Sequence, residues 1–285
     1  MNHHFTSQIA ILILFYNKVD QTIECVNSFL LSQQIIYVLN NGSEKKQWDL
    51  LKNKYKNNNQ VQLLDAGNNL GISGGRNYLI NASSEQWLFS IDNDITIKPE
   101  KEWVHLFNKY IIENKDVKII SPIIYNVHDE QWSQQLNLKI NGNIVGIEQG
   151  KYETTNCFPG GASIIHRSVF EIYGLYDNAM FVGFEDYEFA LRALLSEQGQ
   201  LKVNHIGFIQ LIHEHRVQKT NANKNAIRQR YDANKLRVSY NHLMSKHNIH
   251  FEHDWKCWTD KQLEEMTSPK LWLRMKRILK RFFNL

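Results

Sequence analysis

Between residues 9 and 16 the chain reads IAILILFY, eight apolar positions with no polar break. A strand that faces water on one side alternates apolar and polar residues. An unbroken, isoleucine-rich run suits a central parallel strand covered on both faces. Ile23, Val26, Phe29 and Leu30 then recur at helical spacing, and IIYVL (35–39) reads as a second strand stopping at the turn signal NNGS. A polar helix, a short strand VQLL (61–64), a glycine-rich loop, a helix near 75–83 and the strand WLFSI (87–91) complete the first hundred residues. Strands alternating with helices predict right-handed βαβ units and an open parallel sheet.

After residue 100 the pattern changes. LNLKINGNIVGI (136–147) alternates around Asn141-Gly142, as a β-hairpin does. GASIIHR reads as a strand, EDYEFALRALLSEQG as a helix closed by Gly199, and LIH (211–213) as the end of another apolar strand. No internal repeat, low-complexity linker or Pro-rich hinge divides the chain. The expectation is an α/β domain over 1–224, with 1–100 and 101–224 as its two joined halves. A mainly helical extension over 225–285 follows.

Composition narrows the picture. The 285 residues suffice for a substantial core. Cys25, Cys157 and Cys257 form no close pair, so neither a disulfide framework nor a CxxC redox motif is expected, which fits a reducing compartment. MNHHFTSQ puts no basic segment ahead of the first apolar run, and that run is too short to span a bilayer. A cytoplasmic protein without a transmembrane helix is expected. Net charge is +4, but the last sixteen residues, KLWLRMKRILKRFFNL, hold six Lys or Arg and no acid. Taking those six away leaves −2 for the remainder, which argues against a protein built throughout to bind nucleic acid. Ser268-Pro269 is a good helix start, with Leu271, Met275, Ile278, Leu279 and Phe282 on one face and Lys270, Arg274, Arg277 and Arg281 on another. Over 268–285 this predicts a basic amphipathic helix suited to an anionic membrane surface, or one that packs on protein.

Four segments could carry chemistry. LFSIDNDITI (88–97) runs a buried strand straight into Asp92 and Asp94. Desolvating two carboxylates together is costly, so they belong at a solvated strand end, where open α/β sheets bind ligands. A D-x-D alone also suits a plain turn; with oxygen donors nearby it suits a hard cation such as Mg²⁺ or Mn²⁺. NNLGISGGRN (68–77) fits neither the P-loop nor the dinucleotide fingerprint, and offers flexible backbone and Arg76 to a phosphate or base edge, or is a structural loop. GFEDYEFALR (183–192) places Glu185, Asp186 and Glu188 at a helix start, as caps or as a general base. His213 and His215 alternate on one strand face, able to complete an octahedral site begun by the DND. The histidines at 242, 247, 250 and 253 with Cys257 match no closed zinc pattern.

In order, these pieces resemble the family-2 glycosyltransferases of GT-A fold, over roughly residues 8–220. FYNK looks like the family's T-Y-N-R segment, and NNGS like its nucleobase-contacting D-N-G-S. NNLGISGGRN is similar to its N-x-G-x-x-x-x-R-N loop, and DND to its D-x-D. GGASIIHRSVFEIYGLYDNAMFVGFEDYEFALR follows the stretch leading to its E-D pair, and HRVQKT resembles an H-x-x-G-x-S element. The resemblance implies a GT-A-like, Rossmann-type nucleotide-binding sheet fused to a smaller acceptor-side β/α part. It implies that Phe15, Tyr16, Asn17, Asn40, Asn41, Asn69, Gly71, Arg76, Asp92 and Asn93 hold a nucleotide-sugar. Asp94, Asp92 and His215, with His213 second, would hold Mn²⁺ or Mg²⁺; Asp186 would be the base and Glu185 would orient the acceptor. The implied activity is inverting hexosyl or deoxyhexosyl transfer from a UDP-sugar, or next a dTDP-sugar, to a glycan or lipid-linked glycan; the basic segment 268–285 adds the expectation of an acceptor at the inner face of a bacterial membrane. Asparagine in place of the nucleobase-contacting aspartate leaves the base preference open, and Gln218 stands where the family has glycine. A sugar nucleotidyltransferase would carry a glycine-rich, arginine-bearing loop where this chain has FYNKVD. A non-catalytic glycan- or membrane-binding protein would have no use for the DND, ED and His elements together.

Overall fold

The computed structural model describes residues 8–98, 102–127, 129–214, 229–230 and 232–253. The first half alternates β1 (Ile9–Phe15), α1 (Val19–Phe29), β2 (Ile36–Asn40), α2 (Lys45–Tyr55), β3 (Val61–Asp65), α3 (Gly71–Ala82) and β4 (Trp87–Asp92). Next come β5 (Ile95–Ile97), α4 (Trp103–Glu113), β6 (Ile119–Asn126), β7 (Gln131–Trp132), β8 (Gln135–Asn141), β9 (Ile144–Gly150) and β10 (Thr154–Thr155). The remaining elements are β11 (Ala162–His166), α5 (Ser168–Tyr173), α6 (Glu185–Leu194), β12 (Val203–His213), α7 (Ala233–His247) and β13 (His250–Phe251).

One mixed sheet runs in the order β10-β12-β6-β11-β4-β1-β2-β3, with β5 on β12 and β7 on β6. Strands β4, β1, β2 and β3 are parallel neighbours, and β11 joins β4 antiparallel. The run 9–15 sits at the centre, and its period-2 geometry sends alternate residues to opposite faces. Ile9, Ile11, Ile13 and Phe15 pack with Phe29, Phe89 and Trp103, while Ala10 and Leu12 pack with Leu79, Ile80 and Phe170. Both faces are therefore covered, as the unbroken apolar run required. The hairpin β8–β9 forms a separate three-stranded sheet with β13.

Three boundaries differ from expectation. Helix α3 starts at Gly71 rather than near 75, because Gly71 turns at φ 74° and the Ile72 N–H is taken by Phe181 O. Helix α6 stops at Leu194, where Leu195 N–H bonds Leu191 O and Ser196 N–H bonds Ala193 O; Gly199, at φ 81°, closes the turn after it. The extension contains a helix, α7, but also β13, which β9 recruits. The 268–285 helix lies outside the described residues.

Candidate active site

A buried arginine gathers the acidic residues of two elements, α6 and β4. Arg76, on α3 and 5% exposed, donates from Nη1 to Glu185 Oε1 (3.0 Å) and Asp186 Oδ1 (3.3 Å). Its Nη2 donates to Asp92 Oδ1 (3.2 Å) at the end of β4. Burial pulls the guanidinium pKa down, but Glu185, Asp92 and Asp186 outweigh burial and the net shift is upward. The cation is thus fixed, and three carboxylates share one charge. Asp186 is pushed up to about 7, by desolvation first and then by Glu185, against the pull of Arg76 and the Gly160 N–H. Its side chain retains 29% exposure, so solvent reaches the group that burial perturbs. Two glycines make the cluster possible. A Cβ at Gly160 would stand 2.2 Å from Arg76 Nη1 and from Asp186 Oδ1, and one at Gly161 would stand 2.2 Å from Asp92 Cγ. The sequence marked the glycine pair only as part of a longer similar stretch.

A second charged group centres on Asp94, which is 5% exposed. Its Oδ2 accepts from Lys18 Nζ at 3.1 Å, and its Oδ1 lies 3.4 Å from His213 Nε2. Lys18 follows Asn17 in a left-handed pair, both at φ 55°, a costly conformation for lysine that turns the chain into α1. His213 is placed by register: it ends β12 opposite Ile95 of β5 and beside Asn126 of β6. The hydrogen bond between its Nδ1 and Asn126 Oδ1 (3.1 Å) aims Nε2 at Asp94. A carboxylate oxygen and an imidazole nitrogen converging in this way fit a divalent cation, with Asn126 as the orienting partner behind the imidazole. Among the described residues no three His, Cys, Asp or Glu side chains are grouped to hold a metal ion. His215, the preferred histidine of the sequence reading, lies outside the described residues. Asp92, the other expected ligand, faces Arg76 instead.

The residues expected to hold the nucleotide divide sharply. The Phe15 ring is fully buried beside Trp48 in the core, because position 15 falls on the inward side of β1. Asn93 is half-buried, and its Nδ2 donates to Thr22 Oγ1 (2.9 Å). Asn17 Oδ1 accepts Glu44 N–H, and Asn17 is 2% exposed. Asn40 Oδ1 accepts Ser43 N–H and its Nδ2 donates to Asp65 Oδ1. Asn41 Nδ2 donates to Gly71 O and Asn69 Oδ1, while its Oδ1 accepts Leu70 N–H. These amides lock NNGS to the 68–71 loop. Gly42 shows how close the two come, for a Cβ there would lie 2.5 Å from Asn69 N. Tyr16 alone of this set is a half-buried aromatic at the strand ends. Arg76, also expected on the nucleotide, is committed to carboxylates.

Beyond Asp186 opens a cavity of about 310 Å³, lined in part by Gln134, Gln135, Phe158, Phe184 and His205. Burial lowers His205 to about 4, so it is neutral at pH 7 and exchanges a hydrogen bond with Thr155 Oγ1. Arg230, which the sequence reading passed over, lines the same cavity with its Nη1 4.0 Å from Asp92 Oδ2. Of the histidines at 242, 247, 250 and 253, two meet acids: His242 pairs with Asp177, and His247 with Glu188. Among the described residues no helix is long and apolar enough to cross a membrane.

The half-parallel sheet, the acids at one strand end, the arginine-bound E-D pair and the cavity beyond it make up an architecture of GT-A type. The chain belongs to glycosyl transferase family 2, whose model matches residues 10–174. It is 25% identical over 197 residues to the dTDP-rhamnosyl transferase RfbF of Shigella flexneri, covering 66% of this chain and 64% of that protein's length. It is 26% identical over 131 residues to an uncharacterized protein of Haemophilus influenzae, covering 44% of this chain and 71% of that one. Among solved structures, S. aureus TarS 1-349 superposes at TM-score 0.56 with 13% identity, covering 84% of this chain and 72% of that one. GalNAc-T7 with UDP, GalNAc and Mn²⁺ superposes at 0.58 with 13% identity, covering 97% and 57%. At that identity the likeness is one of fold.

Proposed function

We propose that this chain transfers a sugar from a nucleotide-diphosphate donor to a hydroxyl of a glycan or lipid-linked glycan, with inversion. The observation that carries this reading is the position of Asp186. It stands between the cluster at the end of β4 and the 310 Å³ cavity, close to neutrality in pKa and reachable from solvent. A general base works best with a pKa near the operating pH. Asp186 takes the proton of the acceptor hydroxyl as its oxygen bonds to the anomeric carbon. The bond from that carbon to the phosphate oxygen breaks, and the nucleotide diphosphate leaves with the electron pair. One displacement at one carbon inverts it. Glu185, held by Arg76, keeps the E-D pair in place, and Arg76 tempers the charge that Asp186 shares with its neighbours. Asp94 and His213 are the residues to hold Mn²⁺ or Mg²⁺, which when bound neutralises the leaving diphosphate.

The similarity to a dTDP-rhamnosyl transferase supports a deoxyhexosyl or hexosyl donor and a role in bacterial surface-polysaccharide assembly. The solved relative holding UDP and Mn²⁺ supports the choice of donor class and metal. The acid-free final sixteen residues support peripheral attachment to the inner face of the plasma membrane. The test is release of nucleotide diphosphate from a panel of UDP- and dTDP-sugars with Mn²⁺. Slow, EDTA-sensitive hydrolysis of one donor without acceptor is expected; no turnover of any donor, with or without membrane glycolipid, would count against transfer.

A further inference from the structure

The nucleotide half ends in three strand tips lying level. Phe15 of β1 pairs with Asn40 of β2, and Asn40 pairs with Asp65 of β3. Ligands of open parallel sheets bind beyond such tips. Asn40 stands where the D-N-G-S motif that NNGS resembles has its aspartate, yet it is 5% exposed and both ends of its amide are engaged internally. The negative charge missing at position 40 is found one strand over. Asp65 is exposed, and its Oδ1 accepts Asn40 Nδ2 and Gly67 N–H, each at 3.0 Å. Two donors on one oxygen fix the plane of the carboxylate. Oδ2 has no hydrogen-bond partner among the described residues.

We propose that Asp65 reads the nucleobase and selects a pyrimidine dione, uracil or thymine, through its ring N3–H. This rests on the nucleotide-sugar reading above. A single remaining acceptor oxygen matches a single ring N–H flanked by two carbonyls. Guanine presents two adjacent N–H groups and would need both oxygens. Cytosine and adenine present a ring-nitrogen lone pair at the corresponding edge, which a carboxylate repels. Tyr16, half-buried, follows Phe15 at the tip of β1 and places an aromatic ring at the same edge of the sheet.

The test is calorimetric titration of the full chain, with Mn²⁺, by UDP, N3-methyl-UDP and CDP, for wild type and Asp65→Asn. This substitution keeps the acceptor for Asn40 and Gly67 and turns an amide N–H₂ outward. Wild type should bind UDP about tenfold or more tighter than N3-methyl-UDP and CDP, the size expected of one hydrogen bond to a charged group. Asp65→Asn should lose that factor for UDP, cease to distinguish N3-methyl-UDP, and shift its preference toward CDP. Unchanged UDP-to-CDP and UDP-to-N3-methyl-UDP ratios, in a variant with wild-type melting temperature, would overturn the role of Asp65 alone. A wild type that binds none of the three would overturn the nucleotide-sugar reading and this proposal with it.

Discussion

Asp186 carries the most consequential charge in the protein. Replacing it by asparagine keeps the shape and removes the proton acceptor, so Asp186→Asn should bind donor normally and lose roughly 10²–10⁴-fold in turnover. Stopped assays with donor titration would separate the two effects; near-normal turnover would pass the role to Glu185 or to the substrate. In wild type, turnover should rise with pH through about 7, because the base works only when ionised. Stability should move the other way. The folded-state pKa lies above the ordinary carboxylate range, so this group's stabilisation is full below about 4 and is lost as pH rises through about 7. Asp186→Asn should therefore melt a few degrees above wild type at pH 8 and show no such gain near pH 4. The acids of this site were legible because strand-end and helix-start carboxylates stand out in an apolar pattern. Lys18 on Asp94 was not, since its reach depends on two consecutive left-handed residues that no local pattern announces.

Helix α6 bears the E-D pair at one end and is clamped along its length to α7. Glu188, fully buried, receives Arg192 Nη2 at 3.1 Å, Lys246 Nζ at 2.8 Å and His247 Nε2 at 3.3 Å. Lys246 also reaches Asp177 at 2.7 Å. Burial raises the Glu188 pKa, but His247, Lys246 and Arg192 reverse this and the net direction is down. Its contribution is thus present above the unfolded carboxylate value and lost as pH falls below it. Glu188→Gln should lower stability at pH 7 by about 2–4 kcal/mol, and its deficit should shrink on acidification toward pH 3; chemical denaturation at both pH values would show this. A deficit independent of pH would assign the loss to packing. Gly161→Ala should distort the end of β4 and abolish activity, because a methyl there overlaps Asp92. Wild-type activity in that variant would mean the cluster has slack. The elements themselves were legible wherever one period ran long, as in β1, α1 and the β8–β9 hairpin. β13 was not: two residues pairing with a distant strand leave no periodic trace.

At the scale of the molecule, a sheet with both faces covered carries Asp92 at the tip of β4, where Arg76 ties it to Asp186 at the cavity wall. The order of strands along the sheet could not be read from the sequence. Inserting β11 antiparallel between β4 and β6 depends on pairings 71–79 residues apart with β4 and 44–46 residues apart with β6, and local patterns are blind to such pairings. The basic C-terminal segment bears on where the enzyme works. Deleting 268–285 should abolish salt-sensitive binding to anionic liposomes while leaving hydrolysis of a soluble donor intact, as sedimentation and a coupled assay would report. Full-length protein that ignores anionic liposomes at low salt would favour a packing role for that segment. The central claim is that a nucleotide diphosphate binds at this site through a divalent cation on Asp94. Calorimetric titration of UDP into wild type and Asp94→Ala, each with Mn²⁺ and with EDTA, tests it most directly. Binding by wild type in Mn²⁺ that weakens at least about tenfold in EDTA, and equally on Asp94→Ala substitution, is the predicted result. Binding that is indifferent to both the metal and Asp94 would contradict it.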